Sequence, residues 1–226
     1  MATPDFVKFS RVHRPLEEWL ERLEEGVFRT HRLEYDRAAG LVVEKDPLTA
    51  KYNGGLDLGE ELEPCRTRAE VLEKAKGGWT AWGLTLLARS VPALLYPYAF
   101  DFAEDGWSAA LSFDTSMLTY KTKDLEKGEW MRGLLIGMVA ALGCDVAGYG
   151  ADDAYRLRYE ALSPEEILKR LRTGELFTMG YPNFHAIAVS LVGVEEMNDL
   201  LRRLPRSQFL QYRLSTSGYH ILSIIP

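Results

Sequence analysis

Cysteine and histidine are scarce in this chain, with two and four among 226 residues. Cys65 and Cys144 allow at most one bridge, so a disulfide framework is excluded. Free thiols fit a reducing compartment, and the cytoplasm is the expected location. Cys144 follows an apolar run, where a thiol behaves as a small hydrophobe. His13, His31, His185 and His220 show no zinc-ligand spacing with each other or with the cysteines, so no metal or other cofactor is expected.

Long apolar runs are missing too. A membrane helix needs about 20 apolar residues, and no stretch here reaches that. The first fifteen residues, MATPDFVKFSRVHRP, lack the apolar segment of a signal peptide. Familiar catalytic signatures are equally absent: no P-loop, no GxSxG nucleophile elbow and no HExxH zinc helix. No repeat recurs at a fixed period. The 10 prolines and 19 glycines are scattered, so no linker divides the chain. We read 1–226 as one globular domain, with a possible subdivision into 1–125 and 126–226.

What is present is an ordinary globular composition, 46% hydrophobic and 27% charged, with a formal net charge of -6. Nucleic-acid binding rests on Lys and Arg neutralising phosphates, so an acidic balance argues against that partner. The acidic residues are unevenly placed. Glu17, Glu18, Glu21, Glu24 and Glu25 crowd one stretch, and Glu60, Glu61 and Glu63 another. The ordinary role of such clusters is a solvated face.

The organising stretch runs from Trp130 to Tyr155. Its first half is apolar on nearly every side, with Leu134, Met138 and Ala141 on one stripe and Leu135, Val139 and Leu142 on the next. That pattern belongs to a helix in the middle of a core. Gly133, Gly137 and Ala141, four residues apart, would let another backbone approach closely. The second half, Cys144 to Tyr155, reads as a Gly-rich loop with Asp145, Asp152 and Asp153.

Upstream, Leu16, Trp19, Leu20 and Leu23 have helical spacing behind Pro15, with Gly26 as the stop. Val27–Tyr35 and Leu41–Lys45 read as strands around Ala39-Gly40. Thr67 and Glu70 have capping-box spacing. Trp79, Trp82, Leu86 and Leu87 suggest a second helical stripe. Tyr96 to Phe102 and Trp107 to Phe113 alternate around Asp105-Gly106, a strong hairpin signal.

Downstream, the elements are a strand at Tyr155–Leu162, a helix from Ser163 to Gly174, a strand at Leu176–Met179 and a strand at His185–Val192. A helix at Val194–Leu204 and a hairpin, Phe209–Ser215 with Tyr219–Ile225, complete the chain. The expected class is α+β with a mostly antiparallel sheet. The C-terminal part has the element order of a split βαβ, ferredoxin-like unit with one extra strand.

Three functional readings follow. The first is a non-enzymatic binding protein, in its sharpest form an inhibitor or immunity-type protein, without a catalytic set. It would meet a protein with a basic surface through Glu104, Asp105, Tyr149, Asp152 and Asp153. The second is a metal-dependent phosphoester hydrolase in which Asp145, Asp152 and Asp153 bind a hard cation and His185 acts as base. His185 and His220 open strands, but Ile187 and Leu222 stand where a paired-histidine phosphoesterase needs Ser or Thr. The third is a small-ligand sensor whose pocket is lined by Trp79, Trp82, Tyr96 and Tyr98. The first reading requires least, because a binder needs no convergent titratable set.

Overall fold

The computed structural model describes residues 5–41, 63–75, 81–88, 93–103, 106–113, 125–150, 169, 172–173, 184–203 and 211–223. Ten strands form one antiparallel sheet over these residues. They are β1 (Asp5–Val12), β2 (Leu33–Leu41), β3 (Glu63–Pro64), β4 (Ala81–Ala88), β5 (Ala93–Ala103), β6 (Gly106–Phe113), β7 (Cys144–Gly150), β8 (Phe184–Ala188), β9 (Gln211–Leu214) and β10 (Tyr219–Ser223). Their order is β3-β2-β4-β5-β6-β1-β7-β8-β10-β9. β1 lies at the centre and pairs with both β6 and β7, so strands from both parts of the chain share one sheet. The class is α+β. Of the expected elements between Tyr155 and Met179, only residues 169 and 172–173 of the expected helix are described, and these are helical.

The long helix α3 (Leu125–Leu142) carries out the reading of the apolar run. Met131, Leu134, Leu135, Met138, Val139, Ala141 and Leu142 are all buried. Gly143 ends it with φ of 64° and donates its N–H to Val139 O at 2.9 Å, a left-handed C-terminal cap suited to glycine. No described helix is long and apolar enough to cross a membrane.

The N-terminal helix α1 departs from expectation. It begins at Leu16 behind Pro15 and is α-helical over Leu16–Arg22. It does not stop at Gly26. It continues as a π-helical stretch, Leu23–Phe28, and closes as Arg29–His31. The strand expected from Val27 therefore begins only at Leu33. Burial decides the outcome: Val27 and His31 extend the apolar stripe of Trp19, Leu20 and Leu23 onto α3. Arg32, with φ of 53°, makes the left-handed exit into β2. Ala39 and Gly40, read as a loop, pair within β2 against Gly83 and Trp82.

β4 is a second correction, because Trp82, Leu86 and Leu87 lie on a strand and not on a helix. Leu84, Leu86 and Ala88 are buried on one face, and of the intervening positions Leu87 is 39% exposed while Thr85 is buried. The β5–β6 hairpin is as expected, closing at the Ala103–Gly106 pair around positions 104 and 105, which lie outside the described residues. The β4–β5 ladder skips between Gly83/Tyr98 and Leu86/Leu95. Pro97 falls in that gap and has no N–H to donate.

Strand alternation sorts the apolar residues onto two faces. Val7, Phe9, Leu84, Leu86, Leu111, Ala147, Ala186 and Ile221 join Trp19, Leu20 and the buried residues of α3 in the main core. Val146, Ile187 and Leu222, from intervening positions, join Val192, Met197 and Leu200 in a smaller one. The helix α4 (Val194–Arg203) supplies Met197 and Leu200 and covers the opposite face there. The short helix α2 (Arg68–Ala75) is capped as the sequence indicates. Glu70 N–H donates to Thr67 Oγ1 at 3.3 Å, and Glu70 Oε2 accepts from Arg66 N–H at 2.6 Å.

The α1–α3 contact is tight at Gly137, where an added Cβ would sit 3.0 Å from Val27 Cγ2. Gly137→Leu should cost about 1–3 kcal/mol through overpacking, even though leucine is the better helix former. Combining it with Val27→Ala should recover part of the loss. Denaturant melts showing no destabilisation would remove α3 from the centre of the fold.

Candidate functional site

Asp145 is the one aspartate of the expected acidic loop that the structure describes, and it lies on a strand. Cys144–Gly150 is β7, held between β1 and β8, so the loop reading of this stretch is corrected. Gly148 is there because His185 on β8 packs against it. A Cβ at 148 would lie 3.0 Å from His185 Nδ1. Tyr149 pairs with Val7 in the middle of the sheet rather than in a connector.

Around Asp145 the chain gathers the basic segment Arg11-Val12-His13-Arg14. A bulge between Phe9 and Val12 shifts the register of β1 against β6, and Arg11 takes φ of 58° there. Bulges re-aim side chains. Arg11 Nε donates to Asp145 Oδ2 at 2.8 Å. His13 Nε2 lies 2.8 Å from Asp145 Oδ1. The carboxylate and the guanidinium are 16% and 14% exposed, while His13 is 46% exposed. Arg14 places Nη1 on the carbonyls of Ala140 and Ala141 at the C-terminus of α3. A cation there offsets the negative end of the helix dipole. Its Nε also reaches Glu18 Oε1 at 3.1 Å.

This arrangement joins the start of α1, the end of α3 and the start of β7. Chemically it is a clasp. Both oxygens of Asp145 already hold a donor, so a cation binding there would compete with the Arg11 guanidinium. Tyr219 OH donates to Cys144 O at 2.9 Å beside it. Burial pushes the Tyr219 hydroxyl and the Cys144 thiol above their ordinary ranges, which keeps both protonated. Cys65 is buried and raised as well, with its thiol 3.7 Å from Thr67 O.

Of the hydrolase set the structure describes Asp145 and His185. Gly148 pairs with His185, and Asp145 stands three residues away on the alternate face of β7. Asp145 and His185 are therefore on opposite faces of the sheet. His185 is buried in the β8 strand. His220 is also buried and is satisfied at both nitrogens. Its Nε2 donates to Val192 O at 2.8 Å and its Nδ1 accepts from Tyr212 OH at 2.9 Å, which assigns the tautomer. Asp152 and Asp153 lie outside the described residues. Among the described residues no three His, Cys, Asp or Glu side chains form a metal-sized group.

Of the sensor set, Trp82, Tyr96 and Tyr98 are described as strand positions. Trp82 pairs with Ala99, and Tyr98 pairs with Gly83, so the two occupy alternating positions of the ladder. Tyr96 pairs with Ser112 on β6. Trp79, Glu104 and Asp105 lie outside the described residues.

A different surface stands out. Glu17, Glu21 and Glu25 are exposed along α1. Beside them a groove of about 490 Å³ runs between α1 and α2, lined by Pro15, Glu17, Glu18, Glu21, Arg68 and Leu72. Arg68 is 3.5 Å from both Glu21 and Glu24. Tyr35 OH donates to Glu24 Oε1 at 3.0 Å. Glu17 and Glu25 have no ion-pair partner among the described residues. Sequence reasoning flagged these glutamates but passed over Arg11, His13 and Arg14. Three basic side chains within four residues directly before a helix were the available signal. No protein family, curated protein or solved structure matches the chain.

Removing the carboxylate at the clasp should take a charged partner from the largely buried Arg11 guanidinium. Asp145→Ala should therefore destabilise the protein by about 1–3 kcal/mol in denaturant melts. An unchanged midpoint would show that the clasp contributes nothing. Magnesium, manganese or calcium should leave the melting temperature unchanged. A site occupied at a hundredfold excess over its dissociation constant would add about 2.7 kcal/mol, a rise that is easily seen.

Burial pushes the His185 imidazole down to about 4. Burial lowers His31 as well, opposed in part by a hydrogen bond to the Gly133 backbone. An unfolded histidine titrates near ~6.5. Between the two values the unfolded chain binds more protons, so stability falls as pH drops from about 6.5 towards 4 and then levels off. His185→Leu should flatten this limb, with the loss between about pH 7 and 5 smaller by roughly 2 kcal/mol than in the parent. Equal slopes for the two proteins would contradict a buried neutral His185.

Proposed function

We propose that this chain is a cytoplasmic recognition protein without a catalytic role, and that its partner is a protein with a basic surface. An inhibitor or immunity-type protein, which silences its target by covering it, is the form that suits it best. The observation that carries this reading is the acidic ridge of α1, where Glu17, Glu21 and Glu25 stand exposed beside an open groove. The acidic tips at Glu104-Asp105 and Asp152-Asp153 would extend the same recognition. Two buried free thiols suit the cytoplasm.

Complementary charge acts mainly on encounter. A partner is identified by affinity capture from the native host, and its association is then followed at increasing salt. The association rate should fall steeply as the ionic strength rises. The variant Glu17→Gln, Glu21→Gln, Glu25→Gln should associate roughly tenfold more slowly, with dissociation little changed. Its stability should stay within about 0.5 kcal/mol of the parent, as for most exposed substitutions. A second variant replacing Glu104, Asp105, Asp152 and Asp153 by their amides tests the tips separately. A captured partner that binds both variants at the parent rate overturns the reading.

A further inference from the structure

We draw no further inference here: the strongest candidate, the groove between α1 and α2 lined by Pro15, Glu17, Glu18, Glu21, Arg68 and Leu72, belongs to the surface already proposed for the partner, and nothing else in the structure points to a ligand there.

Discussion

Two glycines set how closely the N-terminal helix approaches the central one, and the main core depends on that approach. Gly133 receives the His31 ring and Gly137 receives the Val27 side chain, each at a distance that a Cβ would crowd. Interiors are packed to crystal density, so a notch of this kind must be filled. Filling both requires α1 to stay helical past Gly26, which otherwise favours termination. The π-helical stretch and the bond from Thr30 Oγ1 to Gly26 O at 2.8 Å accompany that continuation. Trp130 then closes over His31 edge-on, with ring centroids 5.4 Å apart. The same core holds Trp19 and Leu20 with Leu84, Leu86 and Leu111. Helix contact and sheet cover are therefore one packing problem.

The junction of β1, α1, α3 and β7 is held differently, by charge. A partly buried ion pair gains little over an apolar pair of equal size, yet losing one member is costly because the other stays desolvated. At Asp145 that asymmetry is distributed over Arg11 and His13, and Arg14 attends separately to the open carbonyls of α3. Desolvation ties this carboxylate to its two basic neighbours. The same holds on the other face, where His220 is tied to Val192 O and Tyr212 OH.

Elements whose cause is local were legible from the sequence. The α3 run, the Asp105-Gly106 hairpin, the Thr67–Glu70 cap and the C-terminal hairpin across Ser217-Gly218 each carry their signal within a few residues. β4 was not legible because positions 82 and 86 share one side of a helix and also one face of a strand. Leu84 and Thr85, both buried, distinguish the two only once the neighbouring strands are known. β7 was hidden by its glycines, of which Gly148 serves a histidine on the adjacent strand rather than a turn. The clasp was hidden because Arg11 and Asp145 are 134 residues apart and meet only through strand pairing.

Those internal uses of basic residues shape the surface that is left. Arg11 and Arg14 serve the junction, Arg68 sits among Glu21 and Glu24, and Lys74 pairs with Glu63. Among the described residues, Glu17 and Glu25 on the outward side of α1 are left without an ion pair. Screening at physiological salt limits exposed charges to a reach of about 8 Å. A diffuse net charge of -6 would then steer little, whereas exposed glutamates spaced along one helix act together on anything that approaches it. The proposed recognition through this ridge would depend on where the carboxylates stand, more than on how many the chain carries.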